Sequence, residues 1–237
     1  MLNETKVLDD AASKWLDIKG VQTQEPLIKI GQLNMDTLRN LMYSVGRIND
    51  SYYTSFELFK KENGARLEGV GLLTPGGDYL RWGEHYDENG NEFVLGNTGE
   101  QKQIKSLRNY PQCSRTVFSD DFLHDLYTSF PGIVRSVIQN LTSGGVIGVH
   151  SDSVDQERKR VHINITNAEV VYFIGGNAFK MTPGGIYWFN SFLMHAVENK
   201  TKYDRKNLII DCFYNGSVSD FVTTSRQTLT TKQMLEI

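Results

Sequence analysis

Short runs of strand-forming residues, crowded between Val146 and Phe213, constrain this chain more than any other feature. Val146-Ile147-Gly148-Val149 is rich in β-branched residues and too short for a helix, which predicts a strand. Segments 146–150, 160–165, 169–174, 186–190 and 207–214 read the same way, most of them separated by turns bearing Gly or Pro. Strands at that spacing predict a sandwich or barrel. Arg160 to Ile165 alternates cleanly, with Val161, Ile163 and Ile165 facing one side and Arg160, His162 and Asn164 the other. A polar strand face inside an otherwise apolar region suits a small barrel lined for an anionic ligand.

The reactive side chains of this stretch have metal-site spacing. Residues i and i+2 of a strand face the same way, so His150 and Asp152 present a nitrogen and an oxygen to one ion. His195 brings a second imidazole from another strand. Two His and one carboxylate on one face of a metal, with the other positions open, suit Fe(II). Arg205 stands ahead of the apolar run Leu208-Ile209-Ile210, where a fixed guanidinium can pair bidentately with the far carboxylate of a dicarboxylic acid.

Each of these residues also has a plainer reading. A lone His beside apolar strands is ordinarily a satisfied core group, and Asp155 rivals Asp152 within the same loop. Arg205, in Lys202-Tyr203-Asp204-Arg205-Lys206, fits an exposed position; turned inward, it requires an anion, because a buried unpaired charge is strongly unfavourable. His162 either contacts the ligand or supports the site from behind. Asn199 either ends its strand or orients His195. Tyr172, Phe173, Tyr187 and Trp188 read as barrel wall.

The order His150-X-Asp152, Arg160-X-His162, His195-X-X-X-Asn199 and Arg205 resembles the aspartyl/asparaginyl β-hydroxylase branch of the Fe(II)/2-oxoglutarate-dependent oxygenases. Phe189-Asn190-Ser191-Phe192-Leu193-Met194-His195 is similar to that branch's approach to its distal histidine. The resemblance runs from Ser114 to Phe213. It implies a double-stranded β-helix (jelly roll, cupin-like), mainly β with flanking helices. It further implies that His150, Asp152 and His195 hold Fe(II), that Arg205 binds the distal carboxylate of 2-oxoglutarate, and that Arg160 and His162 lie near co-substrate and substrate. The implied reaction is oxidative decarboxylation of 2-oxoglutarate, with O2 as co-substrate, coupled to hydroxylation of a C–H bond. The expected substrate bears a carboxylate, as a free amino acid or an Asp/Asn-type side chain in a peptide, anchored by Arg160 or by the 102–115 loop. Some animal members lack the carboxylate ligand, whereas Asp152 occupies its position here. Two other classes compete: a non-catalytic jelly-roll module that binds a small acidic ligand, and a cupin isomerase or dioxygenase. The latter wants three His and a Glu, which this sequence does not supply at the right places.

Composition narrows the rest. The chain has 237 residues, 39% hydrophobic and 22% charged, with a formal net charge of −3, so no bulk basic field points to nucleic acid or anionic membrane. That length suits one domain, expected over 1–237, with helical support in 1–50, the jelly-roll core in 114–214 and a tail in 215–237. No apolar run reaches the roughly 18 residues of a membrane span, and Met1-Leu2-Asn3-Glu4-Thr5-Lys6 lacks a signal-peptide layout. With two cysteines, Cys113 and Cys212, too few for a disulfide scaffold, this predicts a cytoplasmic protein.

Helical spacing covers Val7 to Leu16, and Asp36 is expected to cap a second helix. Ser119 is expected to cap a third, with His124 on its exposed side. Gln22 to Gly31 reads as loop or short edge strand, and Ile133 to Leu141 as a short apolar segment. Thr-Pro-Gly-Gly occurs at 74–77 and 182–185 as common turn chemistry. Asn89-Gly90 predicts a hairpin, with His85 in a solvated turn. Gly96 to Ser114 reads as a polar loop carrying Lys102, Lys105 and Arg108, and the Ser/Thr-rich tail as unassigned apart from a closing helix near 232–237.

Overall fold

The large sheet owes its position to residues that are apolar on its outer face and a mixture of apolar and polar on its inner face. A computed structural model describes residues 25–55, 65–81, 84–86, 92–94, 113–152, 158–166 and 169–236. The expected helix over Val7 to Leu16, the lysines and arginine of the 96–112 loop, and Asp155 lie outside the described residues, as does the side chain of His85.

In chain order the elements are β1 (Leu27–Gln32), α1 (Met35–Gly46), β2 (Thr54–Ser55), β3 (Leu67–Pro75), β4 (Glu84–Tyr86), β5 (Glu92–Val94) and β6 (Cys113–Arg115). Then follow α2 (Asp121–Tyr127), β7 (Ile133–Leu141), β8 (Val146–His150), β9 (Arg158–Asn164), β10 (Val171–Ile174) and β11 (Asn177–Lys180). The chain closes with β12 (Gly185–Phe189), β13 (His195–Glu198), β14 (Arg205–Phe213) and α3 (Val218–Thr231).

An 8-stranded sheet runs β1-β12-β9-β14-β7-β3-β2, with β6 on β3, and a 4-stranded sheet runs β11-β10-β13-β8. All these pairings are antiparallel. From β7 to β14 the chain passes back and forth between the sheets, so β12-β9-β14-β7 belongs to one and β11-β10-β13-β8 to the other. That order is a double-stranded β-helix, and mainly β with flanking helices is the observed class. β4 and β5 pair antiparallel with Tyr86 opposite Glu92, while the Asn89-Gly90 turn expected between them lies outside the described residues.

The alternation in β9 decides what goes where. Val161 and Ile163 join Leu208, Ile210 and Cys212 of β14 in a core that also holds Leu41 and Val45 of α1, Leu123 and Leu126 of α2, and Phe221 and Leu229 of α3. The helices therefore cover one face of the large sheet. The other face packs a second core, in which Val137 and Ile209 meet Tyr172, Ile174 and Val197 of the small sheet. Arg160, His162 and Asn164 point to this inner side, as the alternation predicts, and all three are buried. Both Thr-Pro-Gly-Gly turns close with a backbone bond, Gly77 N to Thr74 O at 3.0 Å and Gly185 N to Thr182 O at 2.9 Å.

Several local expectations are corrected. The cap of α1 is Asn34, whose side chain accepts from Thr37 N at 2.8 Å, while Asp36 sits in the first turn. Asp120 caps α2; Ser119 instead bonds the Tyr127 hydroxyl, and His124 is half-buried with Nδ1 2.9 Å from that same hydroxyl. Ile133 to Leu141 is a full strand. The tail forms α3, which begins at the Ser217 cap and ends at Lys232. Its Thr hydroxyls return to carbonyls four residues back, such as Thr230 to Arg226 at 2.8 Å, and burial of Phe221, Val222 and Leu229 outweighs their poor helix propensity. Among the described residues no helix is long and apolar enough to cross a membrane.

Candidate metal centre

Strand register brings the two imidazoles together. β8 ends on His150, β13 begins on His195, and the two residues are direct partners in the antiparallel ladder. Their ring centroids lie 4.3 Å apart. Asp152 follows β8 by two residues and is tied down by a backbone bond from its N to Ser191 O at 3.0 Å. One ligand atom from each of His150, Asp152 and His195 falls within 4.8 Å of the others, a group that can hold a metal ion.

The tautomers suit that use. His150 Nδ1 donates to Gly148 O at 2.7 Å, and His195 Nδ1 donates to Leu193 O at 2.9 Å. A carbonyl only accepts, so each Nδ1 carries the proton and each Nε2 keeps a lone pair. Those Nε2 atoms lie 3.3 Å (His150) and 3.7 Å (His195) from the Asp152 carboxylate oxygens. Burial pushes His195 down to about 4, against the pull of Asp152. Burial also opposes charge on His150, but a proton gained at Nε2 would bond to Asp152 and feel its charge, which outweighs burial and raises the ring above its ordinary value. Burial alone would raise Asp152; Arg160 first, then His195 and His150, hold it well below the usual carboxylate range.

Deeper between the sheets lies a second group. Arg205 opens β14 and is fully buried, with 0% exposure. Its Nε donates to the Tyr172 hydroxyl at 2.8 Å and its Nη1 to Gln139 Oε1 at 3.2 Å. Both partners are neutral, and Nη2 is buried with no hydrogen-bond partner among the described residues. His162 repeats the theme. Asn207 Nδ2 lies 2.8 Å from its Nδ1 and donates there, so the ring hydrogen sits on Nε2, which is likewise buried without a partner among the described residues. Burial first, then the charges of Arg160 and Arg205, keep His162 neutral by lowering its pKa well below the ordinary value. Phe189 joins the two groups, stacking on His162 at 4.5 Å and meeting His195 edge-on at 4.9 Å.

Arg160 also lies at the site, between two carboxylates. Its Nη1 pairs with Asp152 Oδ2, and its Nε and Nη2 reach Asp211 Oδ1 at 2.7 Å and Oδ2 at 3.2 Å. The sequence reading named six residues that the structure brings into the space between the two sheets: His150, Asp152, Arg160, His162, His195 and Arg205. It missed Asp211, Gln139 and Asn207 as polar members, and read Tyr172 only as wall. One signal was available: Asp211 is a lone acid in Leu208-Ile209-Ile210-Asp211-Cys212-Phe213. Asn199 does not orient His195; its amide nitrogen donates to Leu141 O at 3.0 Å and Tyr203 O at 2.8 Å, shaping the turn after β13.

No family model matches the sequence, and no curated relative matches it either. Among solved structures the chain is similar to a predicted oxalate decarboxylase from Thermotoga maritima, at 17% identity over 34% of this chain and 67% of that one, with a TM-score of 0.29. It is also similar to a cupin domain from Bordetella pertussis, at 16% identity over 35% and 95% of the two chains, with a TM-score of 0.28. A third similarity is to a sugar phosphate isomerase of a cupin superfamily from Silicibacter pomeroyi, at 17% identity over 33% and 49%, with a TM-score of 0.28. The double-stranded β-helix is read from the strand order itself.

Proposed function

We propose that this protein is an Fe(II)- and 2-oxoglutarate-dependent oxygenase that hydroxylates a C–H bond of a small carboxylate-bearing substrate, as in the aspartyl/asparaginyl β-hydroxylase branch. The observation that carries this reading is the pairing of the His150–Asp152–His195 cluster with a fully buried Arg205 whose Nη2 has no partner among the described residues. Two neutral ring nitrogens and one carboxylate oxygen are a donor set that suits Fe(II). A buried guanidinium bonded, among the described residues, to a hydroxyl and an amide alone is costly unless an anion completes it. His162 Nε2–H, buried nearby, is a second donor seeking an acceptor-rich ligand.

In this reading His150, Asp152 and His195 hold the metal, and Arg205 receives the distal carboxylate of 2-oxoglutarate. When bound, the iron and the keto acid supply oxidative decarboxylation by O2 coupled to hydroxylation. The remaining work belongs to the chain. Tyr172 and Gln139 fix the Arg205 fork from two sides, so the co-substrate carboxylate meets donors already aligned. The carbonyls of Gly148 and Leu193 hold the two imidazoles in the metal-binding tautomer. Phe189, stacked on His162 and edge-on to His195, gives the region between the two groups an apolar side.

The orphan donors equally favour a second reading, a jelly-roll module that binds a small acidic ligand without turnover. Anaerobic titration of the protein with 2-oxoglutarate, with and without Fe(II), followed by admission of air, separates the two. The oxygenase binds the keto acid more tightly with iron and releases succinate in air. A pure binder shows no iron dependence and releases none, and that outcome would remove the proposal.

A further inference from the structure

Asp211 has no place in the reaction outlined above, yet the inner face of the large sheet is built around it. Its partners in the ladder are Arg135 on β7 and Arg160 on β9. Arg135 donates Nε and Nη2 to Oδ2 at 2.9 and 2.6 Å. Arg158 donates Nε and Nη2 to Oδ1 at 3.2 and 3.1 Å. Arg160 straddles both oxygens and extends its remaining arm, Nη1, to Asp152 Oδ2. All four side chains are buried.

Asp152, by contrast, lies beyond the end of β8, where no ladder holds it. Resting on the metal reading of His150, Asp152 and His195, we infer that Asp211 and Arg160 are positioning residues that fix how Asp152 meets the metal. Asp211 is a post whose rotation is blocked by guanidinium groups on three sides. Arg160 transmits that fixed point to Asp152 by occupying Oδ2, which leaves Oδ1 turned toward His150 Nε2 at 3.3 Å. The ladder of the large sheet thus sets the orientation of a carboxylate attached to the other sheet. Outer partners of metal ligands typically act in this way.

The two physical effects of Arg160 have opposite signs, which makes the inference testable. As a charge, a guanidinium beside the ligand carboxylate competes with the metal, so its removal would tighten binding. As a clamp, its removal frees Asp152 to rotate and weakens binding. The test uses the full chain, titrated with Co(II) under competition from a chelating dye, comparing wild type, Arg160→Gln and Arg160→Lys, with circular dichroism to confirm the fold. Both variants are expected to lose roughly 10- to 100-fold in Co(II) affinity. They are also expected to change the visible absorption bands of the saturated Co(II) protein. Lysine is not expected to rescue, because one ammonium cannot span both carboxylates as the planar fork does.

Asp211→Asn should shift metal affinity in the same direction. If that variant does not fold, the Arg160 pair carries the test. Equal or tighter Co(II) binding in the Arg160 variants, unchanged absorption bands, or full rescue by lysine would overturn the inference while leaving the metal site standing. A wild-type protein that takes up no Co(II) would overturn the metal reading itself, and this inference with it.

Discussion

His195 faces His150 across the β13–β8 ladder, and backbone register rather than loop conformation sets the 4.3 Å between their rings. Two imidazoles held in this way and the Asp152 carboxylate bring three ligand atoms within 4.8 Å of one another. Asp152→Ala and His195→Ala are each expected to lower affinity for Fe(II) or Mn(II) by more than the 10- to 100-fold that loss of an outer partner typically costs. Titration calorimetry under anaerobic conditions checks this. Wild-type affinity in either variant would show that the cluster is not the metal site.

Metal affinity should fall on acidification in one proton step. A protonated imidazole has no lone pair on Nε2, so each ring must be neutral to bind. His150 lies above its ordinary value of 6.5, whereas His195 is pushed down to about 4. As pH falls, protons therefore compete first at His150, and His195 stays neutral until far more acid conditions. Calorimetry at about pH 6, below the ordinary His value, in buffers of different ionisation enthalpy, should record close to one proton released per metal bound. Release of two protons, or none, would contradict the assignment.

Arg205→Ala is expected to weaken 2-oxoglutarate binding while sparing the metal. A charge-assisted bond contributes about 1.5–3 kcal/mol, or roughly 10- to 100-fold in affinity. Arg205→Lys should recover little, since the Tyr172 and Gln139 contacts use two different nitrogens of the fork. Equilibrium binding of the keto acid, measured beside metal affinity, separates the two effects.

How much of this was legible in the sequence depends on whether a residue's role is local. The strict alternation of Arg160 to Ile165 placed His162 inside, and His-X-Asp spacing put two donors on one side, because both follow from the two-residue strand period. The inward turn of Arg205 was not decided by sequence, which left an exposed reading as the alternative; the structure places it inside with 0% exposure. Asp211 could not be recognised as a hub, since its partners Arg135, Arg158 and Arg160 come from two other strands and meet it only once register is known. Helix α3 was hidden for a different reason. Its Ser and Thr residues prefer turns in isolation, and only packing of Phe221 and Leu229 against the large sheet makes the helix worth forming.

One turn holds the frame of the site in place. Gly132 has φ +70°, and a Cβ there would lie 1.8 Å from the carbonyl oxygen of Phe213, the last residue of β14. No side-chain adjustment relieves contact with backbone. Gly132→Ala is expected to cost about 2–5 kcal/mol, from the left-handed backbone plus the overlap. Urea unfolding measures the loss, and a midpoint like that of wild type would show that the turn adapts freely.

The central claim is that the cluster and Arg205 together turn over 2-oxoglutarate. Its most direct test is succinate release in air, with Fe(II) and a panel of free amino acids, by wild type and by Asp152→Ala and His195→Ala. Iron-dependent succinate from wild type alone is the expected result. No succinate from wild type with any member of the panel, or equal amounts from the variants, would contradict it.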